Sequence, residues 1–339
     1  MGWAAGATLA VLALSACAAA TSDRAEGRLA GAAPSSAARP ADGAEASDIA
    51  ALRWISPDRD RVAFLTTQPV ECLKPTSDND LAYKRELGRV AFDSPALLGG
   101  AAGRKGLACG SCHLGGRGNT DLFIEGVSDA AGTADVTSSL FSKTRGDGEF
   151  NPKTIPDLAA KDGKQIKDRR SQEFRTKVRG LVVDEFDGQA PPAPVFEDLL
   201  AYLDGLDLTA CADPAARIAL RPKRDLDAVA VALSGARTAV DPAEAEFWIR
   251  VARRRLEKID ERFLAPALAP TRRRLAALSL AFGTEADAIH ARRQPKPPIT
   301  SEGWAALVKA VSEGEDISLY NPAALRAGLA VSTHAPGVR

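Results

Sequence analysis

Residues 109 to 113 read Cys109-Gly110-Ser111-Cys112-His113. Two thiols three positions apart can form thioether bonds to the two vinyl groups of a haem, and the histidine that follows can bind its iron. Chance explains the motif poorly, because a chain with five cysteines and three histidines is expected to hold only about 0.0006 such matches. A thioredoxin-type pair would need a βαβ context and a zinc site a second ligand pair, and neither lies nearby. The motif therefore predicts one covalent haem c, attached to Cys109 and Cys112, with His113 as axial ligand of the iron.

The composition favours a helical protein without a strongly charged partner. The chain of 339 residues has 44 Lys and Arg against 44 Asp and Glu, so its net charge gives no indication of nucleic-acid binding. Alanine and leucine supply much of its apolar content, and both favour helix over strand. We expect an all-α chain in which a haem domain at 51–212 is followed by a helical C-terminal region at 213–339.

The N-terminus has the pattern of an export signal. Residues 4–20 form an apolar stretch that is short for a membrane span but typical of a signal-peptide core. Its end, Leu14-Ser15-Ala16-Cys17, resembles the bacterial lipobox, which implies cleavage before Cys17 and lipidation of that cysteine. Residues 1–3 lack the Lys or Arg expected before the core, and an uncut N-terminal anchor helix is the alternative. We expect a signal peptide at 1–17, a disordered tether at 18–50, and a periplasmic lipoprotein anchored at the inner or outer membrane surface.

Two further cysteines, Cys72 and Cys211, flank the haem segment on either side. An oxidising periplasm would favour a disulfide between them, which would close the ends of the haem domain. Two separate buried thiols are the alternative, because the sequence does not show whether the two Cα atoms approach each other.

Amphipathic helices are predicted near both ends of the haem domain, at residues 79–92 and 194–205. The first places Tyr83, Leu87 and Ala91 on one face at four-residue spacing, before Asp93-Ser94-Pro95 ends the run. The second carries four apolar residues and ends at a glycine: Phe196, Leu199, Leu200, Leu203 and Gly205.

These helices resemble the first and last helices of cytochrome c, which cross at a glycine and an aromatic on one helix and an aliphatic–aromatic pair on the other. Gly88 with Phe92 matches the first set, and Leu199 with Tyr202 matches the second. A residue without a Cβ atom lets two helix axes approach closely. The resemblance implies a cytochrome c-like haem domain, with ordinary core packing as the alternative.

Within that family, the segment before the haem motif resembles the bacterial di-haem cytochrome c peroxidase and methylamine-utilisation group. Domains of that group open with a helix carrying Leu-Gly, Phe, Asp and Pro, followed by a glycine-rich loop and the haem motif. This chain reads Leu87-Gly88-Arg89-Val90-Ala91-Phe92-Asp93-Ser94-Pro95 and then Leu98-Gly99-Gly100. The resemblance covers residues 79–205. Those enzymes carry two haem motifs and this chain carries one, so electron delivery through an internal second haem is not expected.

The sixth ligand of the iron is left open by the sequence. The only methionine is Met1, and no histidine lies within residues 114–210. Three possibilities remain: an open five-coordinate iron, which we favour; a lysine or tyrosine of the domain; or His290 or His334 from the C-terminal region. A closed iron predicts an electron-transfer cytochrome with a redox partner protein in the periplasm. An open iron predicts a mono-haem peroxidase-like enzyme, and a haem-based sensor or assembly component is a third alternative.

Candidate distal residues fall in the loop from Gly126 to Leu158, which we expect to cover the far face of the haem. Arg145, Asp147 and Glu149 could supply the cation and the carboxylates that peroxide cleavage requires. A solvated turn is the alternative, since Gly and Asp are turn residues.

The C-terminal region is predicted to be helical at 242–263, 270–293 and 302–312. The first of these helices begins with Asp241-Pro242-Ala243-Glu244, an N-cap followed by a first-turn proline and a capping glutamate. Arginines cluster on these helices, as Arg253-Arg254-Arg255 and Arg272-Arg273-Arg274, and indicate either a docking face for an anionic partner or lipid surface, or an ordinary solvated face.

Overall fold

The computed structural model describes residues 46–143, 145–161, 168–293 and 296–332. The predicted signal peptide with Cys17, most of the predicted tether, and His334 lie outside the described residues. The last five tether residues, 46–50, are described: they lie in or beside two 3-10 turns, Ala46–Asp48 and Ala50–Trp54. The side chains of Ala46 and Ile49 are buried. Part of the segment predicted as a tether, residues 46–50, therefore contributes buried side chains.

The described chain is rich in helix, as its composition predicts. Helices account for 58% and strands for 5%, which agrees with an all-α class. The α-helices α1 to α12 are, in chain order, Arg61–Thr66, Asn79–Phe92, Pro95–Leu98, Gly100–Arg104, Cys109–Cys112, Gln172–Gly180, Ala193–Gly205, Pro222–Thr238, Pro242–Asp260, Ala269–His290, Ser301–Glu313 and Pro322–Ser332. The strands β1 to β4 are Thr67–Pro69, Thr133–Ala134, Lys153–Thr154 and Arg217–Ala219.

Local signals explain the bounds of the two helices predicted for the haem domain. Helix α2 begins where the Asp78 carboxylate accepts hydrogen bonds from the Asp80 and Leu81 amides, and it ends before Ser94-Pro95. Helix α7 begins with Pro194 in its first turn and ends at Gly205. Both helices are therefore confirmed, the second beginning one residue earlier than predicted.

Helices α2 and α7 cross in close contact at Gly88. A Cβ atom built on Gly88 would lie 2.0 Å from the Asp198 carbonyl oxygen and 2.8 Å from the Tyr202 Cβ. The rings of Phe92 and Tyr202 pack beside the crossing with their centroids 5.2 Å apart. The crossing expected at these residues is present.

The C-terminal helices pack against α2 through a shared core. Helices α8, α9 and α10 supply most of that core, including the fully buried Trp248, Leu256 and Phe282. Leu87 and Val90 of α2 belong to the same cluster of buried residues. Short connections between successive helices favour this side-by-side packing, and all described residues belong to one compact unit.

An antiparallel ribbon and a disulfide join the two ends of the predicted haem domain. Strand β1 pairs with β4, with Gln68 opposite Ile218. Just beyond the ribbon, Cys72 and Cys211 form a disulfide with their Cα atoms 5.1 Å apart. Within the described ranges, no helix is long and apolar enough to cross a membrane.

Candidate haem-attachment site

The attachment motif forms α5, a single helical turn held by polar contacts on its outer side. The Ser111 hydroxyl accepts a hydrogen bond from the Ala108 amide at 3.0 Å. The side-chain Nδ2 of Asn119 donates to the Ser111 carbonyl at 2.8 Å, and the backbone N–H of Asn119 donates to the Cys112 carbonyl at 3.1 Å. Since one turn of helix is unstable by itself, these bonds fix the positions of Cys109 and Cys112.

Gly110 allows α5 to lie directly against the end of α2. A Cβ atom at this position would lie 2.1 Å from Oδ1 of Asp93, the residue that caps α2. Close packing against Asp93 therefore favours glycine at position 110, the first variable position of the motif.

The His113 ring is oriented by a backbone carbonyl far along the chain. Its Nδ1 lies 3.1 Å from the Pro156 oxygen, and because a carbonyl can only accept, Nδ1 carries the proton in this bond. Nε2 is then the nitrogen with a free lone pair. Burial lowers the pKa of His113 to about 4, so the ring is neutral near pH 7. A histidine that ligates a metal characteristically donates its other N–H in this way.

The two thiols of the motif lie among apolar side chains. Cys109 packs against two clusters of buried residues, one that includes Phe92, Leu97 and Val182 and one that includes Leu107 and Ile124. Cys112 packs against the second cluster only. Burial raises the pKa of each thiol to about 12, and among the described residues neither cysteine forms a disulfide. Two unpaired thiols, an imidazole in one tautomer and apolar surroundings fit a covalently attached haem.

The chain leaves the site through two glycines with positive φ. Gly115 and Gly116 have φ values of 65° and 72°. A Cβ atom on Gly116 would lie 2.6 Å from a methyl carbon of Leu206 and 3.1 Å from the Tyr202 hydroxyl. Glycine is required here for conformation and for space. The sequence analysis missed this role, although a Gly-Gly pair one residue after the motif is a signal for it.

Arg117 ties the segment that contains Pro156 to the disulfide. Its Nε donates to the Asp157 carboxylate at 2.6 Å, and its Nη1 contacts the Cys72 sulfur at 3.5 Å and the Pro214 carbonyl at 3.0 Å. The guanidinium is largely buried, which strengthens these contacts. The loop at 126–158 was predicted to cover the far face of the haem, but its last residues, Pro156 and Asp157, contact His113 and Arg117 instead.

The predicted distal residues lie in an exposed part of that loop. Arg145, Asp147 and Glu149 are all exposed, and the Glu149 amide donates to the Asp147 carboxylate at 2.9 Å, which lowers the pKa of Asp147. The Arg145 charge acts on Glu185, a buried carboxyl whose pKa is raised by burial. A catalytic role for Arg145, Asp147 and Glu149 stays a prediction, and Glu185 is a carboxyl that the sequence did not single out.

His290 lies at the end of α10, on the surface of the C-terminal helices. Its ring Nδ1 is 3.1 Å from the Glu246 carboxylate, and its side chain is 77% exposed. His290 is therefore a surface histidine paired with a carboxylate of the C-terminal helices.

Comparisons with protein-family profiles, with curated proteins and with solved structures found no match to this chain. Among the described residues there is also no cluster of three or more His, Cys, Asp or Glu side chains of the kind that holds a metal ion. The argument for function therefore depends on the residues around α5.

Proposed function

We propose that this protein is a periplasmic c-type cytochrome that binds one haem through Cys109, Cys112 and His113 and transfers electrons. The observation that carries the proposal is the hydrogen bond from His113 Nδ1 to the Pro156 carbonyl, which leaves Nε2 for an iron ligand. A bound haem would supply the reversible one-electron change of its iron. The close crossing at Gly88 supports a cytochrome c-like domain.

In this proposal each residue of the site has a separate task. Cys109 and Cys112 hold the cofactor covalently, while Pro156 keeps the His113 ring in one orientation and raises its basicity as a ligand. The apolar side chains around both cysteines exclude water from the cofactor. The predicted lipid on Cys17 would keep the protein at a membrane surface, where a redox partner protein would reach it.

Haem attachment is the first test. The full chain is expressed in a host with a c-type maturation system, and its covalent haem content is measured by mass spectrometry and by the alkaline pyridine spectrum. We expect one haem per chain and the loss of one thioether bond in each of Cys109→Ala and Cys112→Ala. A wild-type chain recovered folded and without haem would overturn the proposal.

A mono-haem peroxidase-like enzyme is the second candidate, and one observation favours it. The described residues contain no methionine, and their only histidine besides His113 is His290, which is paired with Glu246 on the exposed C-terminal surface; neither usual sixth ligand is therefore found near α5 within the described ranges. Binding of cyanide and carbon monoxide, together with peroxide turnover using a reduced cytochrome donor, separates the two candidates. Ligand binding with turnover favours the enzyme, and failure to bind either ligand favours the electron carrier.

A further inference from the structure

A cavity lies beside the attachment helix. It has a volume of about 320 Å³ and is lined by Gly110 and Ser111 of α5, by β1 and by one face of α9. Cys109, Cys112 and His113 are not among its lining residues. The cavity is therefore separate from the proposed haem site, and its size falls within the range of small-molecule pockets.

The lining of this cavity carries more positive than negative groups. Its cationic residues are Arg104, Arg254, Arg255, Lys258 and Arg262. Its three acidic residues, Asp93, Glu257 and Glu261, are already engaged. Asp93 lies 3.4 Å from Arg255, Glu257 pairs with Arg253 and Arg254, and Glu261 accepts a hydrogen bond from the Ala50 amide.

Two buried nitrogen atoms of the lining residues have neither a hydrogen-bond acceptor nor an ion-pair partner among the described residues. They are Gln68 Nε2 and Arg262 Nε. Arg255 Nη2 also makes no hydrogen bond, but it lies 3.4 Å from the Asp93 carboxylate and forms an ion pair with it. Gln68 and Arg255 are each 5% exposed and Arg262 is 2% exposed. Buried donors are normally paired, because leaving one unpaired costs the free energy of its desolvation.

The other contacts of these side chains keep them in place. Arg262 donates through Nη1 to the Leu65 carbonyl at 2.7 Å and lies over the Tyr320 ring at 4.7 Å. Arg255 donates to Asp225 on α8 at 3.2 Å. Because Arg262 is fixed through Nη1 while its Nε has no acceptor among the described residues, this donor is preorganised for an acceptor that enters the cavity, and Arg255 adds a buried positive charge to the lining.

We propose that this cavity binds a small oxyanion, a molecule that presents phosphate or carboxylate oxygens to Gln68, Arg255 and Arg262. Such oxygens match the planar donor fork of arginine. Arg254 lies at the rim, 57% exposed, and adds positive charge at the entrance. The ligand would lie against α5, in contact with the helix that holds the cofactor.

Calorimetry on the full chain with its cofactor tests the proposal. Sodium phosphate and sodium succinate are titrated separately against sodium chloride at equal ionic strength. We expect saturable binding of at least one oxyanion and none of chloride, and the comparison of phosphate with succinate identifies which group is recognised. Absence of saturable binding by both would overturn the proposal, whether or not haem attachment succeeds.

Two neighbouring arginines provide a matched pair of variants. Arg253 and Arg254 both pair with Glu257, but only Arg254 lines the cavity. We expect Arg254→Gln to weaken oxyanion binding about fivefold and Arg253→Gln to change it less than about twofold. We expect Gln68→Leu to weaken it about tenfold. Equal weakening by both arginine variants would overturn the proposal, and that comparison decides even if Gln68→Leu fails to fold.

Discussion

Gly88 is the residue at which α2 and α7 touch, and its replacement is expected to be costly. In Gly88→Ala the new methyl group would lie 2.0 Å from the Asp198 oxygen, so the helices must separate. We expect a loss of about 3 kcal/mol in the free energy of unfolding, measured by chemical denaturation. Gly180→Ala on α6 is the control, because its Cβ would make only an ordinary contact of 3.4 Å and alanine favours helix. Equal stability of wild type and Gly88→Ala would contradict the close crossing.

The residues of the attachment motif could be predicted from sequence because the chemistry needs a thiol or an imidazole at fixed spacing. The role of Pro156 could not be predicted, because it acts through its backbone carbonyl oxygen, a group that every residue carries. The cavity donors were equally hidden: Arg255 belongs to an arginine run that resembles a solvated face, yet it is buried against Asp225. Burial of a charge depends on partners from other helices, which no local pattern encodes.

At the scale of elements, the packing of α7 against α9 is expected to make stability depend on pH. Burial of Asp198 on α7 and the nearby Glu244 carboxylate on α9 raise the pKa of Asp198 to about 7 from an ordinary value of 3.8. The folded chain therefore keeps a proton that the unfolded chain releases, so this stabilisation is complete below about pH 4 and is lost as the pH rises through 7. We expect the free energy of unfolding to fall by about 1–2 kcal/mol between about pH 5 and pH 8.

Urea denaturation of Asp198→Asn across the same pH range checks this expectation. The amide cannot ionise, so the decline should largely disappear. Asp227→Asn on α8 removes an exposed carboxylate paired with Lys223 and should keep the wild-type decline. A wild-type decline that survives in Asp198→Asn would assign it to another group.

Sequence patterns identified five of the longer helices, but the 17-residue helix α8 was predicted only as part of a helical region and several short elements were missed. Helices α2, α7, α9, α10 and α11 follow strong apolar spacing and capping residues, and their bounds lie within about three residues of the prediction. Helix α6 and the π-helical turn Leu181–Glu185 that continues it were missed. Their apolar residues, such as Val178 and Val182, are buried against residues of α2 and α7. They are too few to form a long periodic apolar face, which is the pattern that predicts a helix from sequence.

For the whole molecule, the disulfide is expected to be a major source of stability. It joins positions separated by 139 residues and encloses the attachment motif. Closing a loop of this length restricts the unfolded chain, so Cys72→Ser/Cys211→Ser should lose about 3–5 kcal/mol in the free energy of unfolding. A thiol assay on denatured, unreduced protein should detect no thiol from this pair. Two titratable groups assigned to Cys72 and Cys211 by peptide mapping would contradict the pairing.

The same connection sets a requirement on how the protein matures. If the chain is exported unfolded from its N-terminus, Cys72 is the first of the four cysteines after Cys17 to reach an oxidising compartment, Cys109 and Cys112 follow, and Cys211 arrives last. If thiols formed disulfides in the order in which they arrive, Cys72 would pair with Cys109 or Cys112, because these are the accessible thiols before Cys211 has crossed. Assembly therefore depends on timing: the motif must stay reduced, or a wrong bond must be reshuffled, until the last cysteine has crossed.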